Sequence, residues 1–366
     1  MTVEFKPKFN GVADATPVPL VLGLQPAVLI DHVARVDWSL LDSVPGERGG
    51  STPVAMEELE KILREVETHI LSTPEDPYPV KAIAGGSVTN TIRGLRAGFG
   101  ISTGMIGAYG DDDQSNLFSS NMRFHGVDVS RMRKKKGPTG QCVCLVDALG
   151  NRTMRPSLLS AVYLQGDELT KEDFKGAKWL VMRYGKLYLG VIQAAVKIAK
   201  QEGLLVSLDL ASFEMVRDYR DHLLEMLESG NIDLCFANED EAAELLRDKQ
   251  RADPEAALEF LAARCKWAVV TLSSNGCIAK HGKEVIRVPA IEEVTAIDAT
   301  GAGDLFASGF LYGLVKGLSL EDCCKIGSCS GGSVIQSLGG EMTPEKWQWM
   351  YKQMQLRGLL LPPSYF

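Results

Sequence analysis

From residue 178 onward the sequence alternates between short apolar runs and amphipathic segments, and this alternation limits the possible folds more than any other feature. Runs typical of strands lie at 179–182, 204–210, 232–236 and 267–272. Helical patterns follow them at 189–200, at 213–227, in a segment that ends at 247, and at 254–265. Repeated strand–helix units predict an α/β fold with a doubly wound, mostly parallel sheet and helices on both faces.

Four polar residues directly follow apolar runs and are therefore expected at strand ends. They are Asp209, Asn238, Ser273 and Asp298. Because ligands of open α/β sheets bind at the carboxyl ends of the strands, we expect these side chains to surround one crevice.

The segment Asp298-Ala299-Thr300-Gly301-Ala302-Gly303-Asp304 precedes a strongly helical pattern. With few side chains in the way, the backbone N–H groups of Gly301, Ala302 and Gly303 can turn toward one anion, and the helix dipole adds positive charge there. A carboxylate beside an anion site repels the anion unless it acts on the approaching group. We therefore predict that Asp304 takes a proton from an attacking hydroxyl. A tight turn with an N-cap aspartate is the alternative.

The N-terminal half contains short strands that are expected to form a second, smaller sheet. Residues 141–146 and 152–155 flank the hairpin turn Asp147–Asn151, and residues 31–37 alternate between apolar and polar side chains. Strands this short need another layer to pack on. We expect a small β-sheet lid, with strands from about 30–52 and 138–160, on a main domain that spans 18–366.

The composition excludes several classes of protein. The chain has 366 residues, of which 45% are hydrophobic and 23% charged, with a net charge of -8. These are globular values, and the acidic balance argues against nucleic acid or an anionic membrane as a partner. The eight cysteines show no paired Cys-x-x-Cys spacing, so a structural zinc site is not expected, and a reducing compartment fits better than a disulfide framework.

No targeting or membrane segment is evident in the sequence. No apolar run reaches about 18 residues, and residues 1–17 are polar and lack a signal-peptide core. We expect a cytoplasmic protein with a poorly ordered start at 1–17.

The seven-residue segment is similar to the C-terminal signature of the ribokinase-like (PfkB) carbohydrate kinase family, whose core is Asp-x-x-Gly-Ala-Gly-Asp. The resemblance extends from about residue 18 to about residue 340. The family's N-terminal signature is similar to Gly85-Gly86 with Asn90, and its first-strand aspartate matches Asp31. The resemblance implies the ribokinase-like fold, and it implies that these four residues bind the hydroxyl groups of a phosphate acceptor. A strand-end cap and a helix-surface asparagine are the alternatives for Asp31 and Asn90.

The resemblance also assigns residues to the nucleotide and the metal. Asn238 and Glu241 match an Asn-x-x-Glu motif that organises hydrated Mg²⁺, although an acidic helix N-terminus is the alternative. Thr271 and Gly276 resemble a turn along the nucleotide, in which Ser273 replaces a glycine. We also expect Asp298, Gly332 and Ser333 to contact the nucleotide, and Arg152 to contact the substrate or a phosphate.

Two stretches depart from the family pattern. The residues Gln25-Pro26-Ala27-Val28-Leu29-Ile30 precede Asp31, where the family often has Gly-Asn or Asn-Pro, and Arg183-Tyr184-Gly185 is unusual at a predicted strand end. The acceptor pocket is therefore expected to differ from that of well-known ribose or adenosine enzymes.

The sequence predicts a kinase that uses ATP and Mg²⁺ to phosphorylate a primary hydroxyl of a sugar or nucleoside. The strand 142–146 and the hairpin at 150–153 resemble the branch that contains adenosine kinase and its sugar-kinase relatives. A requirement for K⁺ and the choice between a monomer and a homodimer through the lid stay open. A catalytically weak relative that acts as a binding or regulatory protein is the alternative. A nicotinamide oxidoreductase is excluded because no Gly-x-Gly-x-x-Gly follows the first strand, and there is no Walker A loop.

Overall fold

A nine-stranded sheet forms the centre of the computed structural model, which describes residues 18–71, 80–250, 252–292 and 294–363. The expected poorly ordered segment 1–17 lies outside these residues. The strands are β1 (Val21–Ala27), β4 (Thr103–Tyr109), β5 (Met132–Lys134), β8 (Trp179–Arg183), β9 (Leu205–Asp209), β10 (Leu234–Asn238), β11 (Trp267–Thr271), β12 (Cys277–His281) and β13 (Glu284–Val288). Their order is β13-β12-β11-β10-β9-β8-β1-β4-β5.

The pairing of this sheet confirms the predicted fold class. All neighbours from β11 to β5 are parallel, and only β12 and β13 run antiparallel to their neighbours. The short edge strand β5 was not predicted, because three residues carry no periodic signal.

Helices cover both faces of the sheet. One face packs on α3 (Ser87–Phe99), α4 (Asp113–Phe124), α10 (Ala302–Val315), α11 (Leu320–Val334) and α12 (Pro344–Leu356). The other packs on α5 (Leu189–Gln201), α6 (Phe213–Asp218), α7 (Arg220–Glu228), α8 (Glu239–Leu245) and α9 (Pro254–Ala262). The segment predicted as one helix at 213–227 divides into α6 and α7 at Tyr219, whose backbone leaves the helical conformation at φ -129° and ψ 31°.

A second sheet of four strands has the order β3-β2-β6-β7. The sequence predicted its strands near 31–37, 141–146 and 152–155 but not the strand Val80–Gly85, and Trp38–Ser43, inside the segment expected to supply lid strands, is a helix. The sheet consists of β2 (Leu29–Arg35), β3 (Val80–Gly85), β6 (Gly140–Val146) and β7 (Arg152–Ser157). One face is covered by α1 (Trp38–Ser43) and α2 (Met56–His69). The opposite face carries Val33, Cys142 and Cys144 and packs on Leu338, which joins it to the segment after α11.

One strand-end prediction is wrong. Residues 294–297 form no strand, so Asp298 does not follow one. The N–H groups of Ile297 and Asp298 donate instead to Ile335 O, just after α11, at 2.7 and 3.2 Å. Local β-propensity fails here because no neighbouring strand is available for pairing.

The cysteines and helices agree with the composition. All eight cysteines are buried and unpaired. Within the described ranges, every helix falls short of the length and apolar character that crossing a membrane requires.

Candidate active site

The N-termini of α3 and α10 meet at one point, at the carboxyl ends of the central strands. Asn90, in the first turns of α3, donates its Nδ2 to Asp304 Oδ2 at 2.9 Å. Thr91 Oγ1 donates to the Asp304 carbonyl at 3.2 Å, and Ser308 Oγ donates to the Thr91 carbonyl at 2.9 Å. The predicted base is therefore fixed by hydrogen bonds between two helices that lie more than 200 residues apart in sequence.

The loop before α10 has the backbone geometry of an open helix N-terminus. Gly301 is the N-cap residue at φ +80°, and no side chain caps the helix. An added Cβ at Gly301 would lie 2.9 Å from Gly340 Cα, whereas at Gly303 it would meet no heavy atom within 4 Å.

The three predicted anion-hole amides are not equivalent. The Ala302 N–H donates to Ala299 O at 3.2 Å, but the N–H groups of Gly301 and Gly303 have no acceptor in the described part of the chain. An anion at this helix end would therefore be held mainly by the glycine amides.

The N-terminus of α3 has a similar backbone but a different environment. Its N-cap residue Gly86 has φ +96° and provides no side-chain cap. Gln25 Oε1 accepts hydrogen bonds from Thr89 N at 3.1 Å and Thr89 Oγ1 at 2.9 Å, and Gln25 Nε2 donates to Gly85 O at 3.1 Å. The glutamine noted as a departure from the family pattern thus serves as the missing cap.

Asp31 is a buried carboxylate on β2 beside this helix end. Its side chain is 1% exposed, Gly86 N donates to Oδ2 at 3.4 Å, and Oδ1 has no hydrogen-bond partner among the described residues. Burial raises the pKa of Asp31 to about 7, and the charge of Asp304 adds to this. A Cβ at Gly85 would overlap the Asp31 carboxyl group, so glycine is required there.

Asp31 also belongs to a group of three buried side chains that offer metal-ligating atoms. Its carboxylate and the thiols of Cys142 and Cys144 lie within 4.8 Å of one another. Structural zinc sites usually have four protein ligands, and this group has three among the described residues.

Charged residues from several elements face the same cleft. Arg183 at the end of β8 and Asp209 at the end of β9 lie 3.9 Å apart, Nε to Oδ1, and both line the cleft together with Asp304. The cleft also contacts Ser87 and Thr91 at the start of α3. The sequence marked Arg183 only as unusual, because its pairing with Asp209 depends on the neighbouring strand.

Arg152, the first residue of β7, approaches the cleft from the small sheet. It is half-buried and forms no hydrogen bond or ion pair within the described residues. The preceding turn contacts the loop before α10 (the anion loop, residues 298–301), because Ala299 N donates to Gly150 O at 3.0 Å. A free arginine is thus placed beside buried carboxylates of the main sheet.

Asn238 and Glu241 form a reciprocal capping box at the start of α8. Asn238 N donates to Glu241 Oε2 and Glu241 N donates to Asn238 Oδ1, both at 2.9 Å. Burial raises the pKa of Glu241 to about 8, and Asp209 adds to this, while Arg183 and Arg152 oppose it. These contacts are those of the alternative reading, an acidic helix N-terminus. Asp209 and Glu241 also provide carboxylate oxygens of the kind that bind a hydrated cation.

Asp298 has both carboxylate oxygens engaged by backbone. Thr300 N donates to Oδ1 and Gly339 N to Oδ2, each at 2.7 Å. Asp298 therefore connects the anion loop to the segment after α11. These contacts are those of a carboxylate that fixes a turn.

The predicted nucleotide turn follows β11. Thr271 ends the strand, and its Oγ1 donates to Ala237 O at 3.4 Å. Ser273 has φ +47°, a left-handed conformation, and Gly276 has φ +86° with no room for a Cβ beside Val288 O. Ser273 therefore keeps the left-handed backbone conformation that glycine adopts more easily, and a serine is strained in this conformation.

The two candidates on α11 face different surroundings. Ser333 is fully buried, and its Oγ donates to Lys346 O at 2.6 Å, which commits the hydroxyl to packing against α12. Gly332 is half-buried, with Ile291 and Trp349 nearly 4 Å from the position of an added Cβ.

Comparison with known proteins places this geometry among kinases. The model for the "pfkB family carbohydrate kinase" matches residues 71–347. Fructoselysine 6-kinase from Escherichia coli is 30% identical over 266 residues, which cover 72% of this chain and 95% of the relative.

Solved structures of similar chains share the whole architecture. The structure of adenosine kinase from Sinorhizobium meliloti superimposes with a TM-score of 0.79 at 29% identity, covering 90% of this chain and 97% of the other. A probable sugar kinase from Rhizobium etli gives 0.80 at 28% identity, covering 93% and 98%.

Proposed function

The chain belongs to the pfkB family of carbohydrate kinases, and from this premise we propose that it transfers the γ-phosphate of ATP to a primary hydroxyl of a sugar or nucleoside. The observation that carries the proposal is the position of Asp304. Its carboxylate lines the cleft, is held by Asn90, and lies three residues after the open N-cap of α10.

The residues divide the reaction between them. Asp304 accepts the proton of the acceptor hydroxyl as the hydroxyl oxygen attacks the γ-phosphorus. The bond from the γ-phosphorus to the β–γ bridging oxygen breaks, ADP leaves, and the Asp304 carboxyl group then releases the proton to solvent. The N–H groups of Gly301 and Gly303 stabilise the charge that spreads over the phosphoryl oxygens. Asp31, whose Oδ1 lacks a partner, accepts a hydrogen bond from another hydroxyl of the acceptor.

The donor set near α8 fits a magnesium ion. Asn238 and Glu241, with Asp209 beside them, would hold hydrated Mg²⁺, since carboxylate and amide oxygens are the ligands that this ion accepts while it keeps several waters. When bound, Mg²⁺ neutralises phosphate charge. Thr271, Ser273, Gly276 and Gly332 would lie along the nucleotide, and Asp298 fixes the loop.

We assign the small sheet the role of a lid. The support is that its hairpin reaches the anion loop through Gly150 and brings Arg152 to the cleft. Closing this sheet over the acceptor would exclude water from the phosphoryl group.

The test measures ATP consumption by the purified protein with Mg²⁺ and a panel of nucleosides, pentoses, hexoses and inositols. Asp304→Asn is the matched control, since it keeps the shape and the bond partners but removes the base. We expect turnover with one acceptor class, and a loss in kcat of about 10²–10⁴-fold in the variant. A folded wild type that binds ATP but turns over no acceptor would favour the binding or regulatory alternative. A variant within tenfold of wild type would refute the assignment of the base.

A further inference from the structure

Arg93 is a buried cation on α3 whose position the proposed reaction does not explain. It is 3% exposed. Its guanidinium donates to Ala84 O at 2.8 Å, to Asn121 Oδ1 at 3.0 Å and to Gly340 O at 3.3 Å. Burying a charge is costly unless its partners are well placed, so these contacts call for a reason.

The remaining bond of Arg93 leads to the candidate active site. Arg93 Nη2 donates to Asn90 Oδ1 at 2.8 Å, and Asn90 Nδ2 donates to Asp304 Oδ2 at 2.9 Å. A guanidinium has donors and no acceptor, so the amide can face it only through its oxygen. The amide N–H is consequently directed at the Asp304 carboxylate.

We propose that Arg93 is a positioning residue for Asp304, because it fixes the orientation of the Asn90 amide so that an N–H faces the base. This inference rests on the proposed function. It gives Asn90 a role beyond the acceptor contact expected from the sequence, since both of its polar atoms are already engaged.

The far side of the network holds Arg93 in place. Glu341 Oε2 lies 3.8 Å from Arg93 Nη1, and Glu341 also accepts bonds from His125 at 2.9 Å and Asn121 at 3.1 Å. A Cβ at Gly340 would come within 2.7 Å of Asn90 Nδ2, so the amide is closely confined. While Arg93 is present, these contacts restrict rotation of the Asn90 amide.

Other charges also face Asp304 from neighbouring elements. The carboxyl groups of Asp31 on β2 and Asp209 on β9 interact electrostatically with Asp304, and Arg183 on β8 lines the same cleft. Removing Arg93 therefore has two effects, and both destabilise the charged form of the Asp304 carboxylate. It removes a positive charge, and it frees the amide to turn its oxygen toward the carboxylate.

The experiment compares Arg93→Met with Arg93→Lys in full pH profiles of kcat. For R93M we expect kcat at pH 7 to fall at least about tenfold and the acid limb to move to higher pH by about one unit, with both KM values changed less than about threefold. R93K, which is also a cation without acceptors, should restore the limb. The control is Arg96→Met, one turn further along α3, whose Nε donates to Gly126 O away from Asp304.

A folded R93M with the acid limb of wild type would overturn the inference, as would an equal shift in R96M. If R93M does not fold, Arg93→Gln is measured instead, because glutamine can accept as well as donate and no longer dictates the amide orientation. A wild-type limb in folded R93Q would then overturn it. Asp304→Asn separates the two proposals: if that variant stays active, the proposed base fails; if it is inactive while R93M behaves as wild type, only the role of Arg93 fails.

Discussion

The N-termini of α3 and α10 share one backbone design but differ in what fills them. Each begins at a glycine with positive φ, +96° at Gly86 and +80° at Gly301, and neither has a side-chain cap of its own. Gln25 occupies the end of α3, whereas the end of α10 is open around Gly303. A helix N-terminus becomes an anion site only where the chain leaves its donors without an internal acceptor.

The difference is clearest at the third residue of each helix. In α3 this is Thr89, whose N–H and hydroxyl both bind Gln25. In α10 it is Asp304, whose side chain faces the cleft and Asn90. One helix end is thus filled by a side chain of the protein itself, and the other is open to the cleft.

The largest expected effect comes from disturbing the open end with Gly301→Ala. Its φ of +80° costs an alanine about 1–2 kcal/mol, and the new Cβ would press on Gly340 Cα, so the loop amides must shift. Losing one aligned donor costs about 10²–10³-fold in kcat. We expect a loss of this size in steady-state kinetics.

Gly86→Ala is the matched variant at the closed end. Its φ of +96° costs an alanine about as much as that of Gly301, but its Cβ would meet the flexible Gln25 side chain and not backbone, so we expect mainly a rise in acceptor KM, by about tenfold. Equal losses of kcat in the two variants would show that the two helix ends do not differ in function.

The open end was predictable from sequence because its signals are local. Glycines at Gly301 and Gly303 before an apolar helical pattern specify the turn and the helix start, and strand–helix alternation predicted the main sheet. The contacts that distinguish the two ends are not local: Gln25 reaches Thr89 across 64 residues and Asn90 reaches Asp304 across 214. Such bonds depend on tertiary packing, which no periodicity encodes.

The second prediction concerns Asp31, the buried carboxylate beside the closed end. Its pKa is about 7 in the folded protein against an ordinary value of 3.8, so between pH 4 and 7 the folded protein keeps a proton that the unfolded chain loses. Wild-type stability should therefore fall through this window and not change further from this group above pH 7. Asp31→Asn lacks the titration, so its stability relative to wild type should increase from pH 4 to pH 7 by up to about 4 kcal/mol.

Urea unfolding of both proteins at pH 5, 6, 7 and 8 measures this difference. A difference that stays constant across these values would mean that Asp31 is charged in the folded protein throughout, as expected for a carboxylate at an open, solvated helix end.

The third prediction concerns Gln25→Leu, which removes the polar side chain that caps the N-terminus of α3. The change keeps the volume but loses three hydrogen bonds and leaves the Thr89 amide buried without an acceptor. We expect a loss of about 2–3 kcal/mol in unfolding free energy, and a higher acceptor KM because Gly85 and Gly86 are released. ATP KM should change little. If stability and acceptor KM both stay at wild-type values, Gln25 is not what closes this helix end.

The smallest expected effect isolates one bond of that filling. Thr89→Val keeps the β-branched shape and the amide bond to Gln25, and it removes only the 2.9 Å bond from the hydroxyl. Because Gln25 still accepts from Thr89 N, we expect a loss of about 1 kcal/mol in unfolding free energy and no change in kcat. Thermal unfolding and steady-state kinetics of the same preparation measure both. A change in kcat here would mean that the closed end also takes part in the chemistry, since nothing but a structural bond was removed.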